Sequence, residues 1–139
     1  MIRELVKDDE ILSTRCELAT VEDAELAQDL IDTVNSLEGG ACLAANQIGV
    51  TKAVVVWLDE DGEPHVMYNP KLLFGVRSQR VVEGCLTREE PSNVRRFDKI
   101  KVNYDELVDG ELKHRKRDFT GWTAQMIQHM IDHCNGKLV

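Results

Sequence analysis

Several things are missing from this 139-residue chain, and each absence narrows what it can be. No run of about 18 apolar residues occurs, so no transmembrane helix is expected. The first residues, Met1-Ile2-Arg3-Glu4, pass at once into mixed charge and show no signal-peptide pattern. Cysteine is sparse: Cys16, Cys42, Cys85 and Cys134 are scattered, with no C-x-x-C spacing. That excludes a disulfide scaffold and points to a reducing, cytoplasmic setting. There is no isolated basic cluster. The strongest one, Lys113 to Arg117, follows the acidic stretch Asp105 to Glu111, and the net charge is −8. Nucleic acid is therefore not an expected partner, because phosphate binding rests on Lys and Arg. Internal repeats, low-complexity tracts and linkers are also absent, so residues 1–139 read as one domain.

What is present reads as an α+β pattern: an N-terminal helix, antiparallel strands and hairpins, then a C-terminal helix. The first helix is expected from Val21 to Leu37, capped by Thr20 and ended by Gly39-Gly40. Ala27, Leu30, Ile31, Val34 and Leu37 recur at helical spacing on one face. Strands are expected over Ala53–Leu58 and His65–Asn69, joined by an Asp61-Gly62 turn. Pro70 marks a break. Further strands are expected over Arg80–Leu86, with Gly84 suggesting close backbone approach, and over Lys99–Tyr104. Asp109-Gly110 then turns the chain into Glu111–Phe119. The last helix is expected over Gly121–Cys134, capped by Thr120 and stopped by Asn135-Gly136.

That last helix carries His129-Met130-Ile131-Asp132-His133. Histidines at i and i+4 lie about 40° apart around the axis, so both rings can reach one point. Alone, the pair reads equally well as a chance solvent-facing or core pair. Cys85, beside Gly84 at a strand end, adds a thiol to the two imidazoles. Three protein ligands with an open fourth position are the usual make-up of a catalytic metal site, whereas structural zinc sites are closed by four. A third element, Gly40-Ala41-Cys42-Leu43-Ala44-Ala45-Asn46-Gln47, is rich in small residues that let backbone pass close to a ligand. Gln47 offers an amide donor able to polarise a carbonyl oxygen, though a helix-to-strand turn with a solvated glutamine explains the same residues.

In this order and spacing the three segments resemble the peptide deformylase motifs G-x-G-x-A-A-x-Q, E-G-C-L-S and Q-H-E-x-D-H. Here they read Gly40 to Gln47, Glu83-Gly84-Cys85-Leu86-Thr87 and Gln128 to His133, and the likeness spans nearly the whole chain. The resemblance implies a divalent metal on Cys85, His129 and His133. In many members it is Fe(II), and Zn, Ni or Co fit the same site; affinity order alone would not select iron. It implies that the Gln47 side chain and the Leu86 backbone N–H hold the formyl oxygen. Gly40, Cys42 and the backbone around Leu43 would line the peptide cleft, with Met126 and Met130 in an apolar pocket for the methionine side chain. Glu83 and Asp132 would orient the histidines. The implied substrates are N-formylmethionyl peptides.

One departure bears on chemistry. Met130 stands where the family has the glutamate that takes a proton from the attacking water and passes one to the leaving amine. A thioether does neither at neutral pH. Losing a general base costs ~10²–10⁴-fold, or roughly 3–5 kcal/mol of barrier. Milder departures are Cys42 for a second glycine, Asn46 for a common proline and Thr87 for serine. The chain also stops at Val139, without the C-terminal extension of many members, and no effect on the metal site is expected from that. The expectation is a deformylase-like metallohydrolase of impaired activity. The alternative is an inactive relative that binds metal and formyl peptides or chelating inhibitors. Oligomeric state is open.

Overall fold

A computed structural model describes residues 1–139. Five strands form one antiparallel meander in chain order: β1 (Cys42–Ala44), β2 (Val54–Leu58), β3 (Pro64–Cys85), β4 (Arg88–Val108) and β5 (Glu111–Thr120). The helices are a single turn, α1 (Asp9–Leu12), then α2 (Ala24–Ser36) and α3 (Gly121–Cys134). This is the α+β class expected. No helix is long and apolar enough to cross a membrane.

Strand β2, Val54-Val55-Val56-Trp57-Leu58, shows why the sheet is covered on both faces. Successive side chains of a strand point to opposite faces. Val54 and Val56 join Ala27, Leu30 and Val34 of α2, together with Tyr68. Val55 and Trp57 join Ala124, Ile127 and Ile131 of α3, together with Met67, Ile100, Val102 and Phe119. A strand buried on both faces needs an unbroken apolar run rather than alternation. Two cores therefore share the sheet, and the second fixes α3.

Several element boundaries differ from expectation. The first helix begins as a 3-10 turn over Val21–Asp23 before α2 proper, with Thr20 and Asp23 forming a capping box. The strands expected at His65–Asn69 and Arg80–Leu86 are two ends of the single strand β3. Pro70 does not break it. The proline falls within a register shift between Tyr68 and Lys71, and Asn69 beside it adopts φ 55°. A bulge accommodates a residue that has no N–H for the ladder. The Asn69 side chain grips Ala19, accepting from its N–H at 2.7 Å and donating to its carbonyl at 3.0 Å. β3 ends at Cys85, and Leu86-Thr87 forms the turn into β4, which contains the expected Lys99–Tyr104. Thr120 precedes α3 but makes no side-chain cap.

Two glycines play roles other than those expected. A Cβ at Gly40 would meet the Val34 carbonyl at 2.8 Å, so Gly40 serves the close packing of the chain against the end of α2. At Gly84 a Cβ would meet nothing within 4 Å, because this residue faces an open cleft.

Candidate metal centre

The ligand atoms of Cys85, His129 and His133 all lie within 4.8 Å of one another. Three separate features of the chain place them. Helical periodicity stacks His129 and His133 one turn apart on α3, with their Nε2 atoms 3.0 Å apart. The end of β3 delivers Cys85, whose Sγ is 3.4 Å from His133 Nε2. Gln128 then clamps α3 to β4: its Oε1 accepts from Phe97 N–H at 2.9 Å, and its Nε2 donates to the Phe97 carbonyl at 3.0 Å. Both histidines are buried, at 6% and 1% exposure, while Cys85 is half-buried.

Hydrogen bonds around the trio set its protonation. Glu83 Oε1 lies 2.8 Å from His129 Nδ1. Burial works against the Glu83 charge, but His129 and Arg96 hold its pKa down to about 2. An ionised carboxylate only accepts, so His129 donates through Nδ1 and directs Nε2 toward the cysteine. Burial also disfavours charge on Cys85 and His129. Hydrogen bonding between them prevails, with His133 adding to the effect on Cys85 and Glu83 to that on His129. The thiol is lowered to about 5 and the imidazole raised to about 9. Without metal the site is therefore a thiolate beside an imidazolium at neutral pH.

The donor set fits a divalent metal. Tetrahedral Zn–N and Zn–S bonds place neighbouring ligand atoms roughly 3.3–3.6 Å apart, near the separations seen here. His133 Nδ1 is buried without a partner, and so is the acceptor Asn46 Oδ1. Asn46 Nδ2 donates to the His133 carbonyl at 2.8 Å, which ties the backbone of this ligand residue to the segment ahead of Gln47.

Gln47 is 1% exposed and is oriented at both ends. Its Oε1 accepts from Ala44 N–H at 2.9 Å, which turns its Nε2 toward Cys85 Sγ at 3.4 Å and Thr87 Oγ1 at 3.2 Å. Leu86 follows Cys85 in the turn and is exposed. A cavity of about 160 Å³ opens beside the trio, lined by Cys42, Val82, Gly84, Trp122, Met126 and His129. Burial raises the Cys42 thiol to about 12, helped by the nearby Cys85 and Glu83 charges. A larger cavity of about 380 Å³ lies between α2 and the sheet near Tyr68 and Tyr104, and includes none of the trio.

Some residues expected at the cleft lie elsewhere. Gly40 packs on the end of α2; the Leu43 side chain is fully buried in the α2 core, which leaves only its backbone available to the cleft. Met130 is not among the residues lining the cavity beside the trio. It is 1% exposed and packs with Ile127 and Ile131 in the α3 core, because its apolar side chain finds more contact there. Asp132 touches neither histidine; its Oδ2 accepts from Arg96 Nη1 at 2.7 Å. Arg96 also grips Glu83, with Nε and Nη2 each 2.8 Å from a carboxylate oxygen. The sequence reading missed Arg96. An arginine on a strand reads as a solvated surface residue, and only its 6% exposure shows otherwise. His65 stacks on Trp57 and pairs with Asp59, while His114 is exposed beside Asp105, so neither belongs to the site.

An α+β scaffold holding one thiolate and two imidazoles beside a cleft defines a protein of the single-metal class. The polypeptide deformylase family profile matches residues 2–139. A peptide deformylase of Clostridium beijerinckii is 37% identical, over the whole of both chains. Peptide deformylase 2 of Vibrio cholerae is 34% identical, over 81% of this chain and 67% of its own. Among solved structures, the Legionella pneumophila peptide deformylase superposes with a TM-score of 0.86 at 32% identity, over 99% of this chain and 83% of its own. The Thermotoga maritima enzyme gives 0.85 at 28% identity, over 99% of this chain and 94% of its own. The chain belongs to the peptide deformylase family, whose members are metal-dependent hydrolases.

Proposed function

We propose that this chain removes the formyl group from N-formylmethionyl peptides, at a rate well below that of relatives with a carboxylate at position 130. The observation that carries the reading is the convergence of Cys85, His129 and His133 within 4.8 Å, next to the oriented amide of Gln47. Cys85, His129 and His133 would hold one divalent metal, Fe(II) in the cell, with Zn, Ni or Co as substitutes. When bound, such an ion supplies Lewis acidity and brings the pKa of water toward neutrality.

The chain's own groups do the rest. Gln47 Nε2 keeps its hydrogens pointed at the reaction region because Ala44 N–H holds Oε1. Together with the Leu86 N–H it would stabilise charge developing on the formyl oxygen; a single such donor is worth ~10²–10³-fold. Glu83, fixed by Arg96, keeps the His129 ring in one tautomer and orientation. Met126 and Cys42 line the apolar cavity that would receive the methionine side chain. Position 130 supplies no group to move a proton, and Glu83 is already committed to His129 and Arg96.

A second reading rests on Met130 itself, an apolar residue buried where relatives of this motif place the proton-transfer group. In that reading the chain binds metal and formyl peptides, or hydroxamate-like chelators, without turnover. The test is hydrolysis of a formyl-Met peptide by anaerobically Fe(II)-loaded protein, with metal content measured on the same sample. Slow turnover abolished by chelation is the expected result. Full occupancy with no turnover would overturn the enzyme reading in favour of the binding one.

A further inference from the structure

The segment ahead of α2 crosses the carboxyl end of α3, and two thiols meet at the crossing. Cys16 N–H donates to the Cys134 carbonyl at 2.9 Å. Close packing continues on both sides. A Cβ at Gly136 would meet the Ser13 carbonyl oxygen at 2.6 Å and the Arg15 nitrogen at 2.9 Å, so only glycine lets the two segments approach. Cys16 packs against the apolar cluster that contains Cys134, and both are free thiols. A direct backbone hydrogen bond between two residues brings their main chains side by side, as a disulfide requires. Separation in sequence is thus no obstacle to joining this pair.

We propose that Cys16 and Cys134 form a dithiol modification site, at which a hydroperoxide produces a reversible disulfide that fastens the N-terminal segment to the end of the metal-ligand helix. Cys16 is half-buried and Cys134 is 6% exposed, so Cys16 meets the oxidant first. Its sulfur attacks one peroxide oxygen. The O–O bond breaks, water (or the alcohol of an organic peroxide) leaves, and Cys16 becomes a sulfenic acid. The Cys134 thiol then attacks that sulfur, the S–S bond forms, and a water departs. Two thiols lose two electrons, and the peroxide gains them. Thiol–disulfide exchange with a small reductant returns both thiols.

The remaining two cysteines suit this chemistry less well. Cys42 is held as a thiol by burial, and Cys85 is engaged when metal is present. Cys134 directly follows His133, so a bond there restrains the last turn of α3, which carries a ligand. The loop it closes is nearly the whole chain, the case in which a crosslink most restricts the unfolded state. The proposal does not depend on whether the protein turns over formyl peptides.

The experiment uses zinc-loaded full-length protein treated with a modest excess of hydrogen peroxide. Free thiols are blocked with N-ethylmaleimide, and the protein is digested without reduction and mapped by mass spectrometry. The expected product is a peptide pair linked through Cys16 and Cys134, lost on treatment with a phosphine reductant. Its Tm should exceed that of reduced protein by several degrees, and Cys16→Ser should abolish the rise. Recovery of both cysteines as maleimide adducts after the peroxide is consumed would overturn the proposal. So would Cys16 over-oxidised without a crosslink, or Cys134 joined to Cys42 or Cys85.

Discussion

Replacing Met130 by glutamate gives the sharpest test of how the site works. Met130 is 1% exposed, in a cluster with Ile127, Ile131 and Met126. Met and Glu have similar lengths, so the change is mainly one of polarity. Removing a buried methionine forfeits ~1.5–3 kcal/mol of apolar burial, and a buried polar group without a partner costs ~1–3 kcal/mol more. Metal-free Met130→Glu should therefore be less stable than the parent by roughly 2.5–6 kcal/mol. Position 130 lies only about 60° around the helix from His133, so the new carboxylate can swing from the core toward the metal centre. If it does, general-base catalysis should raise kcat/KM on a formyl-Met peptide by ~10²-fold or more, equivalent to about 2.7 kcal/mol of barrier. The control is Met130→Gln, which matches glutamate in shape and polarity but cannot take a proton. Both variants would be assayed at equal metal occupancy, with folding checked by circular dichroism. Folded, metal-loaded Met130→Glu no faster than Met130→Gln would refute the claim that the missing base limits this protein.

The other predictions concern the ligand shell. Cys85→Ala should lose most bound metal, and stoichiometric metal in the purified variant would sink the ligand assignment. Arg96→Met leaves Glu83 and Asp132 without their shared cation. It should weaken metal binding ~10–100-fold in a chelator competition and destabilise the fold by ~3–5 kcal/mol; unchanged affinity would mean that Glu83 orients His129 unaided. Metal binding should also release protons. With Cys85 ionised above about 5 and His129 protonated up to about 9, metal must displace one proton between those values. Affinity should then rise about tenfold per pH unit across that window, level off above it, and fall more steeply below it, where the thiol also protonates. Calorimetry in buffers of different protonation enthalpy reads the release directly, and affinity independent of pH from 6 to 8 would contradict the thiolate–imidazolium pair.

Much of this protein was legible in its residue pattern, for local reasons. Helical period alone stacks His129 on His133, and the Asp109-Gly110 turn joins β4 to β5 where two positive φ angles demand such residues. That residue 130 is a methionine, whose thioether neither gives nor takes a proton at neutral pH, is likewise a fact of sequence. What only the tertiary structure decided depends on partners far apart in the chain. Pro70 looked like a strand end, yet a bulge absorbs it because Asn69 is anchored on Ala19. Gly40 looked like a cleft residue, yet its lack of a side chain serves close packing against α2. Asp132 looked like a histidine partner, yet Arg96 draws it away, since a buried guanidinium needs both carboxylates. Cys16 and Cys134 carried no motif at all. Periodicity and turn chemistry act over a few residues and so are written in the sequence. Which charge neutralises which, and which thiol faces which, is settled only when the sheet brings distant segments together and removes water from between them.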